Sequence, residues 1–214
     1  LSIFIMIRTW AFSDAPEIYA SFQSELQSKN IAVQDLTFTS GMTSDDVQQN
    51  TKDLINQNTD MDAVFGMASG LDYVYPALQG SNVKLIAMGY DNSVESLMNS
   101  GALLAAGNNN HTQAIASCVA RIINALEGNS YPDAADGQYN EGGIVNGVAG
   151  YPVIGNAEDL QNYQNYVVPE NGADGCVTAE ELENCIISYN ADATLADLNT
   201  LTNRSLSDIV AARQ

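Results

Sequence analysis

Polar and aromatic side chains follow the apolar segments of this chain at positions where strands would end. The segment KLIAMGYDNS places Asp91 directly after an apolar run that closes with Gly89 and Tyr90. In an open parallel sheet, ligands bind beyond the carboxyl ends of the strands. Aromatic faces pack on C–H surfaces, and carboxylates and amides hydrogen-bond to hydroxyl groups. The candidate ligand-binding residues are Trp10, Asp14, Met42, Ser69, Asp91, Asn108 and Asn109.

Two roles are open for Asp91. As a ligand contact, its carboxylate would point into a cleft at the end of the strand. As a helix cap, it would hold the start of the helix that begins near Ser93, because Asp is a common N-cap residue. Trp10 has a similar alternative, since a single Trp is more often a packed or interface residue than a binding platform.

The residues do not indicate an enzyme. The single histidine, His111, stands at the start of a predicted helix, where exposure to solvent is expected. No Ser, Cys or Asp stands in a recognisable pattern with a residue that could act as its general base. The run GGIVNGVAG lacks the lysine of a phosphate-binding loop. We therefore expect a protein without catalytic residues and without an organic cofactor.

The segment ENGADGCVTAEE half matches a calcium-binding EF-hand loop. Glu170, Asp174 and Glu181 stand at three of the ligand positions, and Gly175 stands at the turn. Gly172 occupies another ligand position and offers no side chain. The competing interpretation is structural: Thr178 and Glu181 also form the capping-box pattern at the start of a helix.

The composition excludes two classes of partner. The chain has 26 acidic and seven basic residues, for a formal net charge of −19. Nucleic acids and anionic membrane surfaces need clustered Lys and Arg, so neither is expected to bind. No apolar run is long enough to span a membrane. The charge instead suits a secreted, periplasmic or otherwise extracellular protein.

Secretion would carry two consequences. Cys176 and Cys185 are close enough in sequence for a disulfide, with Cys118 left as a core thiol on an apolar helix stripe. Asn110 and Asn203 stand in Asn-x-Ser/Thr acceptors for glycosylation in a eukaryotic secretory pathway. Because the chain opens without Met inside an apolar strand pattern, we also expect a processed or truncated product.

Apolar strands alternate with amphipathic helices over the first half of the chain. Strands are predicted near 2–7, 32–38, 63–66, 84–89 and 103–106, and Ser44 is expected to cap the helix after the second. Strands that are apolar throughout predict a parallel sheet with helices on both faces, a doubly wound α/β fold. The predicted helix 111–127 is followed by a strand within 143–148 and then by acidic helices.

Three segments together carry a resemblance to a known family: TDMDAVFGMASG, VKLIAMGYDNS and SGALLAAGNNNHTQAIASCVARIINALEGN. Their order and spacing resemble the C-terminal lobe of type 1 periplasmic sugar-binding proteins of the ribose-binding class. The resemblance implies sugar contacts at Asp91, after Gly-Tyr, and at Asn109, at the interlobe crossover. It also implies that an N-terminal lobe, which this chain lacks, would hold the other side of the ligand.

The resemblance divides the chain into three parts: a binding-protein lobe over 1–109, a crossover helix and strand over 110–155, and an acidic helical extension over 156–214. The crossover helix carries the apolar stripe Ile115, Cys118, Val119, Ile122, Ile123 and Leu126. Because such a stripe is costly to leave in water, we expect a cover. The favoured cover is residues 143–214, through Leu195, Leu198, Leu201 and Leu206. A separate protein partner or a second copy is the next alternative.

Two functions follow from the sequence. The first is a non-enzymatic extracellular solute-binding protein that binds a small sugar or polyol in a cleft completed by a missing lobe or partner. The second is a structural or interaction protein that retains the scaffold, has lost the pocket, and assembles with itself or with another chain.

Overall fold

The structure is a computed structural model that describes residues 2–8, 15–38, 43–66, 70–134, 149–168 and 175–214. The chain divides into two compact units. The first comprises residues 1–108 with 154–157, and the second comprises 109–153 with 158–214. Within the described residues, no helix has both the length and the apolar character needed to cross a membrane.

The first unit is built on a six-stranded sheet with strand order β2-β1-β3-β4-β5-β6. The strands are β1 (Ser2–Arg8), β2 (Ala32–Phe38), β3 (Ala63–Gly66), β4 (Lys84–Met88), β5 (Leu103–Gly107) and β6 (Val153–Ile154). All four pairings among β1 to β5 are parallel, as the apolar strand patterns predict. The order reverses at β1, so the topological switch point lies between β1 and β3.

Helices cover both faces of this sheet. The first unit contains α1 (Ala15–Ser28), α2 (Ser44–Gln57), a π-helical turn (Gly70–Val74), α3 (Tyr75–Leu78) and α4 (Val94–Asn99). On one face, Phe22 of α1 stacks on Phe65 with ring centroids 4.1 Å apart. On the other face, the π-helical turn lies against β4, where a Cβ added to Gly70 would stand 3.3 Å from the Cβ of Ala87. The fold is therefore the doubly wound α/β architecture that the sequence predicts.

Thr43 rather than Ser44 caps α2. The Thr43 side chain accepts from the Asp46 backbone N–H, and the Asp46 carboxylate accepts from the Thr43 backbone N–H in return. Asp46 lies three residues after the cap, so the reciprocal box closes from Thr43 and cannot close from Ser44.

The second unit is helical. It contains α5 (His111–Leu126), α6 (Ala157–Tyr166), α7 (Ala179–Glu183), α8 (Leu195–Thr202) and α9 (Leu206–Ala211). A buried cluster lies between α5, α7 and α8: Ala120, Tyr131, Cys185, Ile186, Ala193, Leu195, Leu198 and Leu201. The strand predicted within 143–148 lies outside the described residues.

Candidate functional site

The carboxyl ends of β4 and β5 lie side by side in the first unit. Met88 is paired with Gly107, and the backbone N–H of Gly89 donates to the carbonyl of Gly107 at 2.6 Å. Asp91 follows β4 by three residues and Asn108 follows β5 directly. The register therefore brings these two polar residues to the same edge of the sheet, on neighbouring strands.

Asp91 holds the turn between β4 and α4. Its Oδ1 accepts from the backbone N–H of Ser93 at 2.7 Å and from the Ser93 hydroxyl at 2.5 Å. Ser93 is the N-cap residue of α4, but its own side chain makes no capping hydrogen bond. Asp91 is half-buried, so one carboxylate oxygen organises the turn at a position where the residue still reaches solvent.

Gly89 determines how the chain leaves β4. Its φ is +134°, a backbone conformation that residues with a side chain rarely adopt. The glycine in the sequence Gly-Tyr-Asp thus redirects the backbone at the end of the strand. Gly89 therefore redirects the chain at the end of β4, and Asp91 stabilises the turn that follows.

The other predicted ligand contacts are distributed differently. Asn108 is half-buried in the first unit, whereas Asn109 is exposed and belongs to the second unit. Trp10, Asp14, Met42 and Ser69 lie outside the described residues. By sequence, Trp10 follows β1 and Ser69 follows β3, the two strands that flank the switch point.

Glu181 lies in a network of two arginines. Its carboxylate accepts from Arg204 Nη1 at 2.7 Å and from Arg213 Nη1 and Nη2 at 2.9 and 2.5 Å. Burial raises its pKa, but hydrogen bonds from Arg213, the Thr178 backbone N–H and Arg204 outweigh burial and lower the pKa to about 2. The carboxylate is therefore ionised, and its charge is neutralised within the second unit.

This network bears on the calcium hypothesis. Thr178 and Glu181 form the predicted capping box at the start of α7. A calcium ion at Glu181 would have to displace the two arginines. Among the described residues, no group of three or more His, Cys, Asp or Glu side chains is arranged to hold a metal ion. Glu170 and Asp174 lie outside those residues, so the calcium loop stays a prediction.

The three cysteines differ from the sequence prediction. Cys176 and Cys185 are both buried as free thiols, so the structure does not form the predicted disulfide. Cys176 Sγ donates to Asn110 Oδ1 at 3.4 Å, whereas Cys185 packs with Tyr131 and Ala120. Each thiol thus has its own packing site. Burial raises the pKa of both, that of Cys185 to about 11.

The two glycosylation acceptors are not equivalent. Asn110 is 5% exposed and caps α5, with its Oδ1 accepting from the Gln113 backbone N–H at 3.3 Å. The folded chain does not present this amide for modification. Asn203 is exposed at the carboxyl end of α8, where a modifying enzyme has access.

The helix α5 is oriented opposite to expectation. Four members of its apolar stripe are exposed: Ile115 by 62%, Val119 by 36%, Ile122 by 56% and Leu126 by 83%. Cys118, predicted to be a core thiol, is exposed as well. Leu195, Leu198 and Leu201 do pack in the second unit, but against the other side of α5, around Ala120. The described residues of 143–214 therefore leave these four side chains exposed, in contrast to the prediction, and of the stripe only Ile123 packs partly on the cluster in the described part of the chain.

The buried side of α5 is largely polar, a feature that the apolar periodicity did not reveal. Gln113, Ser117 and Asn124 are each less than 5% exposed. Gln113 Nε2 donates to the Arg204 carbonyl at 3.2 Å, and Asn124 Oδ1 accepts from the Ile187 N–H at 2.9 Å. The signal was present in sequence, because polar residues recur at 110, 113, 117 and 124 with helical spacing.

Close packing at a glycine and hydrogen bonds between residues distant in sequence connect the elements of the second unit. A Cβ added to Gly150 would lie 2.2 Å from the Arg204 carbonyl oxygen and 2.5 Å from Gln113 Oε1. The Tyr131 hydroxyl donates to the Cys185 carbonyl at 2.7 Å, and burial raises the pKa of Tyr131 to about 12. Asp133 accepts from the first N–H groups of α8, at 2.7 Å from Leu195 and 2.9 Å from Ala196. None of these partners is adjacent in sequence, so periodicity could not predict them.

A surface pocket of about 450 Å³ also lies in the second unit. Its polar lining includes Ser205 and Ser207, whose hydroxyls lie 2.9 Å apart. The Ser205 hydroxyl also donates to Asp208 at 2.6 Å, within the capping box of α9. These hydroxyls therefore already organise the start of a helix, and the rest of the polar lining consists of Asp159, Asn162 and Gln214.

Comparison with known proteins identifies the fold. No protein-family model matches the chain, and no curated protein sequence is significantly similar to it. Solved structures do match. A sugar ABC transport substrate-binding protein from Bordetella parapertussis has a TM-score of 0.59 at 16% identity, covering 73% of this chain and 50% of that one.

Two further structures agree. The XylFII–LytSN complex contains a chain with a TM-score of 0.55 at 18% identity, covering 74% of this chain and 53% of that one. A carbohydrate transporter solute-binding protein from Agrobacterium radiobacter, in complex with D-arabinose, has a TM-score of 0.52 at 16% identity, covering 60% and 45%. The chain spans about half the length of these proteins. It shares the fold of periplasmic sugar-binding proteins over that half, as the resemblance in its strand-end segments predicts.

Proposed function

We propose that this chain is part of a non-enzymatic, extracellular or periplasmic solute-binding protein that binds a small sugar or polyol. The observation that carries the proposal is the edge of the sheet where Asp91 and Asn108 follow neighbouring parallel strands. A carboxylate and an amide at such an edge are suited to the hydroxyl groups of a neutral ligand. The fold shared with sugar-binding proteins supports the same ligand class.

The net charge of the chain further restricts the class of ligand. A net charge of −19 disfavours phosphorylated or otherwise anionic solutes, because they would be repelled before reaching the edge. Neutral sugars and polyols are unaffected by this field. The cleft would be completed by a second lobe or a partner that supplies contacts opposite Asp91, and Asn109, Trp10, Asp14, Met42 and Ser69 are further candidate contacts.

A substitution that separates the two roles of Asp91 tests the proposal. In Asp91→Asn, the amide oxygen can still accept from Ser93, so the turn into α4 is kept. The carboxylate, which forms the stronger hydrogen bonds to hydroxyls, is lost. Losing a charged hydrogen bond costs about 1.5–3 kcal/mol, so we expect sugar affinity to fall roughly tenfold to a hundredfold. Isothermal titration with a panel of monosaccharides and polyols measures it.

Two controls accompany this variant. Ser93→Ala weakens the turn but keeps the carboxylate, and should therefore retain sugar binding. Asp133→Asn removes a carboxylate from another helix start, that of α8, and should leave affinity unchanged. If Asp91→Asn binds sugar as well as the parent chain, Asp91 serves only to hold the turn between β4 and α4. If no sugar or polyol in the panel binds when the lobe or partner that completes the cleft is supplied together with the parent chain, the proposed function fails.

The alternative function is an interaction protein that retains the scaffold and has lost the pocket. One observation favours it: the apolar row on α5 is exposed to solvent although the helix packs well on its other side. A chain that fails the sugar titration but assembles through this row would fit that alternative.

A further inference from the structure

The surface pocket of the second unit has a wall of apolar side chains. Its volume of about 450 Å³ falls within the roughly 300–1,000 Å³ typical of small-molecule sites. Leu206 and Val210 of α9 line it, together with Val153 and with Tyr151, which is 38% exposed. An organic molecule that covers this aromatic ring and its aliphatic neighbours removes apolar area from water, and that contact favours binding.

The wall that α9 forms is fixed at both ends of the helix. At its start, the Ser205 hydroxyl and the Asp208 carboxylate form the capping box. Just beyond its end, Arg213 donates to the Glu181 carboxylate and, at 2.9 Å, to the Gly175 carbonyl. These bonds join α9 to α7, so this wall is held in place by the fold itself, as is usual for small-molecule sites.

The polar groups of the pocket are negative or neutral. Asp159 and Asn162 of α6 are half-buried and both line it. Among the described lining residues, none is Lys or Arg. Arg204 and Arg213, which stand on either side of α9 in sequence, both bind Glu181 instead. The described lining therefore offers a ligand a carboxylate, amides and hydroxyls, and no basic side chain to pair with an anionic group.

This lining favours positive charge on the ligand. A carboxylate attracts a cation, and the face of an aromatic ring attracts one as well through its quadrupole. The net charge of −19 adds a long-range field of the same sign, which raises the local concentration of cations and lowers that of anions. A neutral ligand gains only the apolar contacts and the hydrogen bonds.

We propose that this pocket binds a small organic cation, an amine or quaternary ammonium ion with an apolar body. The apolar body packs on Leu206 and Val210, and the charged group contacts the Tyr151 ring and the Asp159 carboxylate. The pocket belongs to the second unit, whereas Asp91 and Asn108 belong to the first. The proposal therefore does not rest on sugar binding, and neither result decides the other.

Three probes of similar size and different charge test the pocket on the 214-residue chain: benzylamine, which is protonated at neutral pH, benzyl alcohol and benzoate. Titrations followed by the NMR shifts of backbone amides measure the affinity and locate the binding. We expect benzylamine to shift amides of α6 and α9 and to bind about fivefold or more tightly than benzyl alcohol, with benzoate the weakest.

Two substitutions assign the contacts. Asp159→Asn keeps the size and an acceptor oxygen but removes the charge, and should weaken benzylamine about twofold to fivefold while leaving benzyl alcohol unaffected. Tyr151→Leu removes the aromatic ring and should weaken benzylamine about twofold to fivefold. Glu158→Gln is the matched control, because Glu158 is exposed beside Asp159 on α6, carries the same charge and does not line the pocket. Its affinity should be unchanged.

Equal affinity for the three probes, or no detectable binding of any of them, would overturn the proposal. So would a loss of benzylamine affinity in Glu158→Gln as large as that in Asp159→Asn, because the cation would then follow the net charge rather than the pocket. Amide shifts that leave α6 and α9 unaffected lead to the same conclusion. Circular dichroism of each variant establishes that it is folded.

Discussion

In β3, four consecutive residues are buried, and all of them are apolar or glycine. In α5, five residues are buried, and three of them are the polar Gln113, Ser117 and Asn124. A strand inside a doubly wound sheet is covered on both faces, so every position must be apolar. A helix is covered on one side by its own unit, and its composition alone does not say which side that is.

The contrast shows what an apolar stripe on a helix means. The periodicity of α5 establishes that one of its sides is adapted to an apolar partner. The described part of the chain places that side in solvent and packs the opposite side, with its small and polar residues, on α7 and α8. The described residues of the second unit therefore do not cover the stripe, whereas β3 is paired with β1 and β4 within the first unit.

The largest difference in the cost of a truncation to alanine should appear between a core residue of the sheet and an exposed residue of the apolar stripe on α5. Leu85→Ala removes a side chain that is fully buried in β4, and such substitutions cost about 2–5 kcal/mol. Ile115→Ala removes one that is 62% exposed, and we expect a change within about 0.5 kcal/mol. Urea unfolding followed by circular dichroism, at a protein concentration where the chain is monomeric, measures both.

Leu198→Ala supplies the control within the second unit, because Leu198 is fully buried against the inward side of α5. It should cost about as much as Leu85→Ala by the same cavity argument. An Ile115→Ala variant as destabilised as Leu198→Ala would mean that the apolar stripe of α5 is covered within the chain, and the contrast between the two regions would disappear.

An intermediate effect is expected at the carboxylate that links α7 to two arginines. Glu181→Gln replaces charged hydrogen bonds to Arg204 and Arg213 with weaker ones, at a cost of roughly 1–3 kcal/mol near neutral pH. Glu180→Gln is the matched control, because Glu180 is exposed and is adjacent on the same helix. Urea unfolding at neutral pH should show a clear loss for the first variant and little for the second.

The pH dependence of that loss has a defined direction. The pKa of Glu181 is about 2 in the folded chain, below its ordinary value of 4.5. Its ionised form therefore stabilises the fold fully above pH 4.5, and the contribution disappears as pH falls from 4.5 towards 2. The difference between the parent chain and Glu181→Gln should shrink over that window. A difference that is constant with pH would show that the ion pairs contribute no stability.

The sequence predicts the first unit well for physical reasons. β1, β3, β4 and β5 are largely apolar runs between helices, as parallel strands with both faces covered require, whereas the edge strand β2 mixes apolar and polar residues. For the turn after β4, the sequence left two roles open for Asp91, because an Asp at that position can cap the following helix or bind a ligand. The bonds from Ser93 show how the turn is held, but the ligand role of Asp91 stays a prediction.

The second unit was harder to predict because its contacts are long-range. The contacts Gln113–Arg204, Tyr131–Cys185 and Asp133–Leu195 each join residues more than fifty positions apart. Helix positions were predictable from periodicity and capping, as for α5 and α7. Which side of α5 is buried depended on these distant partners, and so did the separate environments of Cys176 and Cys185.

The smallest effect concerns the polar side of α5. Ser117 is 4% exposed, and its hydroxyl has no hydrogen-bond partner among the described residues. Burying an unpaired hydroxyl costs free energy, so Ser117→Ala should leave stability unchanged or raise it by up to about 1 kcal/mol. Thermal and urea unfolding measure the change. Thr51→Ala is the comparison, because the Thr51 hydroxyl is buried but donates to the Val47 carbonyl at 2.7 Å, and its removal should destabilise the first unit. If Ser117→Ala is instead destabilising by as much as Thr51→Ala, the Ser117 hydroxyl has a partner, and the inward side of α5 is as well satisfied as the sheet.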